Sequence, residues 1–263
     1  MTSTVNVNQQ HTLWPIAWKL PLGLLAVCST RLGGVSLAPF DSLNLGDHVL
    51  DDPQAVAANR AIFQAQMGGA KPIFLTQVHG TRLVTLDATR RDGLEADACI
   101  TRTPNLACTI MVADCLPVLF TDDSGQVVAA AHAGWRGLSG GVLENTVQEM
   151  LALVPGLRPK DIVAWMGPAI GSSAFEVGDD VLQAFSAQHQ SLLSQAFKPI
   201  AEKPGKYFAN LYLLAREQLR SIGIEQIDGG HFCTVADSAK FFSYRRDKET
   251  GRFASLIWIS DDT

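Results

Sequence analysis

No two of the five cysteines (28, 99, 108, 115 and 233) are spaced as CxxC, and their number is odd. That usage excludes a disulfide framework and points to a reducing compartment, so a cytoplasmic protein is expected. No apolar run approaches the ~20 residues that span a bilayer. The nearest, "LPLGLLAVCST" over 20–30, has one Lys before it, a Pro inside it and no small-x-small cleavage site, so it reads as a strand rather than a signal peptide. No basic stripe is present and the net charge is −5, which argues against nucleic acid as a partner. There is also no linker, low-complexity tract or internal repeat, which leaves one domain and no membrane association.

What remains is a chain of 263 residues, 47% apolar and 18% charged, the balance of a soluble globular enzyme with a full core. Residues 1–12, "MTSTVNVNQQHT", are polar and predict a frayed tail ahead of a single catalytic domain over 13–263. Strands are predicted at 24–30, 72–77, 82–86, 107–114, 161–170, 226–233, 241–245 and 253–259. Of these, 107–114 is apolar enough to be buried on both faces. Helices are predicted at 51–67 (Asp52 as N-cap, Pro53 in the first turn), 138–154, 178–188 and 208–221. Helices and strands alternate irregularly, which predicts a mixed α/β (α+β) fold, mixed sheets flanked by helices, rather than a regular βαβ series.

Chemistry concentrates in "VADCLPVLFTDDSGQVVAAAHAGWRG", residues 112–137. "LPVLF" and "QVVAA" flank Asp-Asp-Ser-Gly, good chemistry for a four-residue hairpin loop. A loop of 122–125 pairs Thr121 with Gln126 and, further along, Cys115 with His132, Cα atoms ~4.5–5.5 Å apart on one face. Pro117 makes a bulge there plausible, which would break that register. Most lone cysteines are merely small buried hydrophobes. This one ends an apolar strand, and His132 runs into glycines that leave backbone open to a ligand. "TQVHG" places a third such group, His79, at another strand end before a glycine. The spacing of His79, Cys115 and His132 is too wide for a zinc finger and suits a catalytic site assembled from several strand ends. Two imidazoles and one thiolate would leave the fourth position of a tetrahedral zinc open. Of the other histidines, His11 and His189 read as surface residues.

"TQVHG", "VADCLPVLF" and "AHAGWRG", in that order, resemble the signature of the YfiH-like family, also described as laccase-domain (multicopper polyphenol oxidoreductase) proteins and as FAMIN-type purine nucleoside phosphorylases. "TRLGGVS", "SLNLGDHV" and "FFSYRRD" carry the resemblance from about residue 29 to 246. Leu50 departs from it, standing where family members often carry glycine. The resemblance implies a zinc held by His79, Cys115 and His132, which would also be the catalytic residues. It implies a fold related to the catalytic domains of cytotoxic necrotizing factors. It further implies phosphorolysis of adenosine, inosine and S-methyl-5'-thioadenosine, with adenosine deamination besides. Purine nucleosides and inorganic phosphate would be the partners, and a monomer or weak homo-oligomer the assembly.

For that chemistry, Arg31 beside Gly33 and Gly34 is the candidate for phosphate and Asn44 for ribose or base. Either could equally serve a glycine turn. Arg136 and Arg245 are spare cations, and Tyr244 or Trp135 could stack on a purine. Deamination needs a proton-shuttling carboxylate as well as an activated water, and the sequence singles out none. Asp114 should point to the opposite strand face, and Asp97 and Glu176 have no support. Copper is the rival metal, since His₂Cys is also a blue-copper donor set. A multicopper oxidase, however, needs about ten histidines, many in His-x-His pairs; here there are six and no such pair. A metal-free hydrolase with Cys115 as nucleophile and His132 as base leaves His79 idle. A structural zinc would be closed by a fourth protein ligand, for which Cys233 or His231 is available.

Overall fold

The computed structural model describes residues 12–187 and 190–261. Among them the strands are, in chain order, β1 (Leu13–Pro15), β2 (Leu24–Ser29), β3 (Lys71–Phe74), β4 (Leu83–Thr85) and β5 (Ala98–Thr101). There follow β6 (Leu106–Val112), β7 (Leu116–Asp122), β8 (Val128–Ala133), β9 (Ile162–Met166) and β10 (Glu176–Gly178). The last are β11 (Phe197–Pro199), β12 (Lys206–Ala209), β13 (Gln226–Gly229) and β14 (Phe253–Ile259). The helices are α1 (Pro53–Gln64), α2 (Trp135–Gly140), α3 (Val142–Leu153), α4 (Asp179–Ala184), α5 (Gln190–Ala196), α6 (Leu211–Ser221) and α7 (Tyr244–Asp247).

Two mixed sheets carry the molecule. One runs β1-β2-β14-β6-β3 and the other β13-β9-β7-β8-β5-β4, with a small β10-β12-β11 sheet alongside. Each large sheet combines antiparallel pairs with parallel ones, β3·β6 in the first and β4·β5 and β13·β9 in the second. The sheets face each other through Cys28, Ile73, Cys108 and Ile110 on one side and Cys99, Leu119, Val128 and Trp165 on the other. Alternate residues of the same strands point outward. Ala107 and Met111 of β6 meet Phe63 of α1, whereas Val118 and Phe120 of β7 join Leu143, Val147 and Leu214 of α3 and α6. The order of layers is therefore helix, sheet, sheet, helix, and every residue of β6 and β7 is buried because both faces are covered. The mixed α/β architecture matches the sequence expectation.

Several local expectations shift for identifiable reasons. Asp52 does cap α1, accepting from the Gln54 amide at 3.0 Å, with Pro53 at its start. The helix expected at 138–154 is two helices, because Gly141 takes a left-handed conformation (φ 94°) between them. The strand expected at 241–245 is absent; Phe241 and Phe242 are buried in a loop, and Ser243 caps α7 by accepting from the Arg246 amide. Thr12, placed in the tail by the sequence, is buried and its carbonyl accepts from the Thr30 amide at 3.0 Å. Residues 1–11, with His11, lie outside the described residues, as does His189.

The hairpin register also differs. Thr121 pairs with Val128 and Pro117 with His132, leaving 123–127 between the strands and setting Cys115 before β7, level with Gly134. The cause is Asp122. Its buried carboxylate accepts from the amides of Ser124, Gln126 and Val127, at 3.2, 2.7 and 3.0 Å, so the loop is built around a side chain rather than a tight turn. A displacement of two residues preserves side-chain parity, so Cys115 and His132 still project from the same face.

The 30–46 loop is fastened to α1 by Asn59, which is fully buried. Its Nδ2 lies 2.8 Å from Ser36 Oγ, 3.1 Å from the Ser42 carbonyl and 2.9 Å from that of Asn44, and its Oδ1 accepts from the Val35 amide at 2.8 Å. Asn59→Ala should lower stability by about 2–4 kcal/mol, since several buried partners lose their bond at once. Urea unfolding measures it, and a loss below about 0.5 kcal/mol would count against this role.

Candidate metal centre

His79, Cys115 and His132 arrive from three places. His79 follows the short bridge between Thr76 and Glu95 and takes a left-handed backbone (φ 61°). Cys115 immediately precedes β7, and His132 lies within β8. One ligand atom from each lies within 4.8 Å of the others. Cys115 Sγ is 3.8 Å from His79 Nε2, and the two imidazole rings stand 4.7 Å apart at 68°. Gly134 makes the approach possible: a Cβ there would come 3.0 Å from Cys115 Sγ and 3.1 Å from His79 Cδ2.

Asp97 organises the set. It is fully buried at the start of β5, and its Oδ1 lies 2.8 Å from His132 Nδ1. The same carboxylate accepts from the amides of Val78, His79 and Gly80, at 3.2, 2.9 and 2.6 Å. Its own carbonyl accepts from the His132 amide at 2.7 Å. With Nδ1 engaged by a carboxylate, His132 turns Nε2 toward the cluster, the arrangement seen behind many metal-ligating histidines. Burial opposes the ionised form of Asp97, but the His132 hydrogen bond and charge, with the Gly80 and His79 amides, outweigh it and hold its carboxyl below the usual range.

Charge in the cluster is reorganised likewise. Burial would raise the Cys115 thiol, yet the His132 charge and hydrogen bonds from His132 and His79 bring it down to about 6. Burial would lower His132, yet the Cys115 thiolate and Asp97 bring it up to about 9. A thiolate and two orientable imidazoles are donors suited to a soft or borderline divalent metal, and the group could hold one. Among the described residues neither Cys233 nor His231 joins it; Cys233 Sγ instead accepts from the Gly171 amide.

Other sequence candidates fall elsewhere. The Arg31 guanidinium is engaged by the Asp41 carbonyl and carboxylate and by the Ser238 carbonyl, and it lies 4.8 Å from the centre of the Phe242 ring. Asn44 is fully buried. Its Oδ1 accepts from the Gly46 and Arg252 amides, and its Nδ2 donates to Gly46 O and Asp51 Oδ2. It therefore shapes the loop and has no atom left to offer a sugar or base, which corrects the ligand-binding expectation. Asp114 points away from the cluster, accepting from Thr234 Oγ1 and the Arg245 amide. Glu176 pairs with Lys203 at 2.7 Å. Arg136 stacks on Trp135, while Tyr244 is 55% exposed with the Lys248 ammonium 5.7 Å from its ring centre. The sequence named Asp97 only as an unsupported acid, because a carboxylate ahead of "ACI" carries no local sign of the segments it joins.

A family model described as multi-copper polyphenol oxidoreductase laccase matches residues 25–260. A Haemophilus influenzae protein named purine nucleoside phosphorylase is 52% identical over 243 residues, covering 92% of this chain and 97% of its own. The Escherichia coli protein named purine nucleoside phosphorylase YfiH is 49% identical, with 92% and 96% covered. Among solved structures, Neisseria meningitidis protein NMB0706 is 45% identical with a TM-score of 0.88, covering 95% of this chain and 99% of its own. YlmD from Geobacillus stearothermophilus is 29% identical with a TM-score of 0.85, covering 95% and 97%.

Two outcomes follow from the Asp97–His132–Cys115 geometry. Asp97→Asn, which removes the charge behind His132, should weaken metal affinity about 10–100-fold in chelator competition; unchanged affinity would exclude the positioning role. In metal-free protein, alkylation of Cys115 should climb through about pH 6 and level off by neutrality, whereas an ordinary thiol keeps gaining reactivity through roughly pH 8.5.

Proposed function

The chain belongs to the multi-copper polyphenol oxidoreductase laccase family, and on that premise we propose that it is a zinc-dependent purine nucleoside phosphorylase. Its substrates would be adenosine, inosine and S-methyl-5'-thioadenosine with inorganic phosphate, and adenosine deamination would be a further activity. The observation that carries this reading is the convergence of His79, Cys115 and His132 with Asp97 behind them. The names of relatives about half identical to the chain supply the reaction.

Three protein donors fit a catalytic rather than a structural zinc, because structural sites take four. When bound there, zinc would supply a Lewis acid with a position open to water or substrate. The chain's own residues do the rest. Asp97 keeps a proton on His132 Nδ1 and frees Nε2. Without metal the positive charge of His132 favours the thiolate of Cys115, and a metal held there would take the place of the proton on His132 Nε2. Gly134 keeps the floor of the site free of side chain. A second reading, a thiol hydrolase using Cys115 with His132, draws on the same depressed thiol. It gives His79 no part. Full copper oxidase chemistry is disfavoured by the donor supply, one His-Cys-His group among the described residues.

Cys115→Ser tests all three. It replaces a soft thiolate by a poor neutral ligand, so most bound zinc should be lost, with phosphorolysis and deamination falling together by more than about 100-fold and the fold intact. Metal analysis, base release with and without phosphate, and circular dichroism read the result. Nucleoside cleavage by wild-type protein shown to be metal-free, and its loss on alkylation, would move the assignment to the thiol hydrolase. Zinc-loaded protein inert towards nucleosides, with activity restored by copper, would move it to the oxidase.

A further inference from the structure

Phosphorolysis needs a cation beside the reacting centre, and the Arg31 guanidinium is already held by Asp41 and Ser238. A different arginine stands in the right place. β14 pairs with β6 so that Phe253 faces Val112. One step further along the same ladder, Arg252 comes level with Ala113, two residues before Cys115. The main chain of Arg252 is fixed on both sides: its amide donates to Asn44 Oδ1 at 2.8 Å and its carbonyl accepts from the Leu45 amide at 3.0 Å. Its side-chain stem lies along Gly46, where a Cβ would come within 2.7 Å of Arg252 Cγ. Any side chain at position 46 would push the arginine aside.

The guanidinium is only partly used. Nη1 donates to the carbonyls of Thr250 and Gly251, at 2.9 and 3.0 Å. Nε and Nη2 bond to no protein atom among the described residues, and neither is sealed from solvent. No carboxylate among the described residues ion-pairs with this half-buried cation, in contrast to Arg60, which holds Asp47 and Asp92. Burial lowers its pKa, and the β14–β6 register sets its main chain beside the strand end that leads into Cys115. A half-buried, unpaired guanidinium with its fork open to solvent is a receptor for a tetrahedral oxyanion.

We propose that Arg252, set in place by Asn44 and Gly46, is the phosphate-binding residue of this site. The assignment rests on the phosphorylase reading above. A phosphate held there would present one oxygen to C1′ of the ribose. The C1′–O bond forms as the C1′–N9 bond breaks; the electron pair leaves with the purine, which takes a proton from solvent, and the products are ribose 1-phosphate and free base. Arg252 acts by neutralising the attacking anion and fixing its position, and Asn44 contributes by holding Arg252, a role the sequence did not suggest for it.

The test uses zinc-loaded protein and inorganic phosphate. Arg252→Ala should raise the KM for phosphate about 10–100-fold while the KM for inosine moves less than about threefold. Arg252→Lys, which keeps the charge but not the fork, should fall between, and Arg252→Gln, which keeps the stem along Gly46, should match the alanine variant and so guard against a folding defect. Titration calorimetry with phosphate alone should show the same loss. An unchanged phosphate KM, an equal rise in both KM values, or a phosphate defect found only in Arg31→Ala would each overturn the assignment. If the wild-type protein releases no base with phosphate, the phosphorylase reading fails, while calorimetry still decides whether Arg252 holds the anion.

Discussion

The site depends on one buried carboxylate. Asp97 joins the loop that carries His79 to the strand that carries His132, using three backbone amides, one imidazole nitrogen and its own carbonyl. A buried carboxylate without partners would be costly, so its four contacts make any rearrangement of either histidine segment unfavourable. Because the same group also sets which His132 nitrogen faces the cluster, folding and ligand geometry are imposed by one side chain. The left-handed backbone of His79 is part of this arrangement: it lets three successive amides converge on one acceptor.

Around that centre, function is concentrated where strands end. β6 ends beside Asp114 and Cys115, and β8 runs from His132 into Gly134. The segment preceding β14 carries Arg252 along β6 toward the same end. The layers of helix and sheet supply the rigidity, since the strands concerned are buried on both faces. Glycine supplies the access. Gly134 lets Cys115 and His79 approach over bare backbone, and Gly46 lets the Arg252 stem pass. The 30–46 loop, whose residues include Arg31 and Asn44, emerges as the support for Arg252. Asn59 ties this loop to α1, Arg31 ties it to Ser238, and Asn44 ties it to the main chain of residue 252.

Much of this was legible in the sequence. Apolar periodicity marked β2, β6, β14 and α6, and the cap at Asp52 marked the start of α1, because these signals are local. Cys115 stood out because it ends an apolar run, and His79 and His132 because each leads from a strand into glycine; the structure brings their ligand atoms within 4.8 Å of one another. The face shared by Cys115 and His132 was also readable, since strand parity tolerates a shift of two. The register itself was not, because the loop is sized by the Asp122 side chain accepting from amides ahead of it.

The sequence alone determined the elements with strong periodicity, the mixed α/β class and the three donors of the candidate metal centre. Tertiary structure decided which polar residues stand behind those donors and which face them. Asp97 and His132 are 35 positions apart, and Arg252 and Asn44 are 208 apart. No period of 2 or 3.6 residues links such pairs; they meet only when two sheets close on each other and bring distant loops to one end. The same closure took the guanidinium of Arg31 into the Asp41–Ser238 contact and left that of Arg252 open, a choice between two arginines that depends on which acceptors lie within about 3 Å and so cannot be made before the chain has folded.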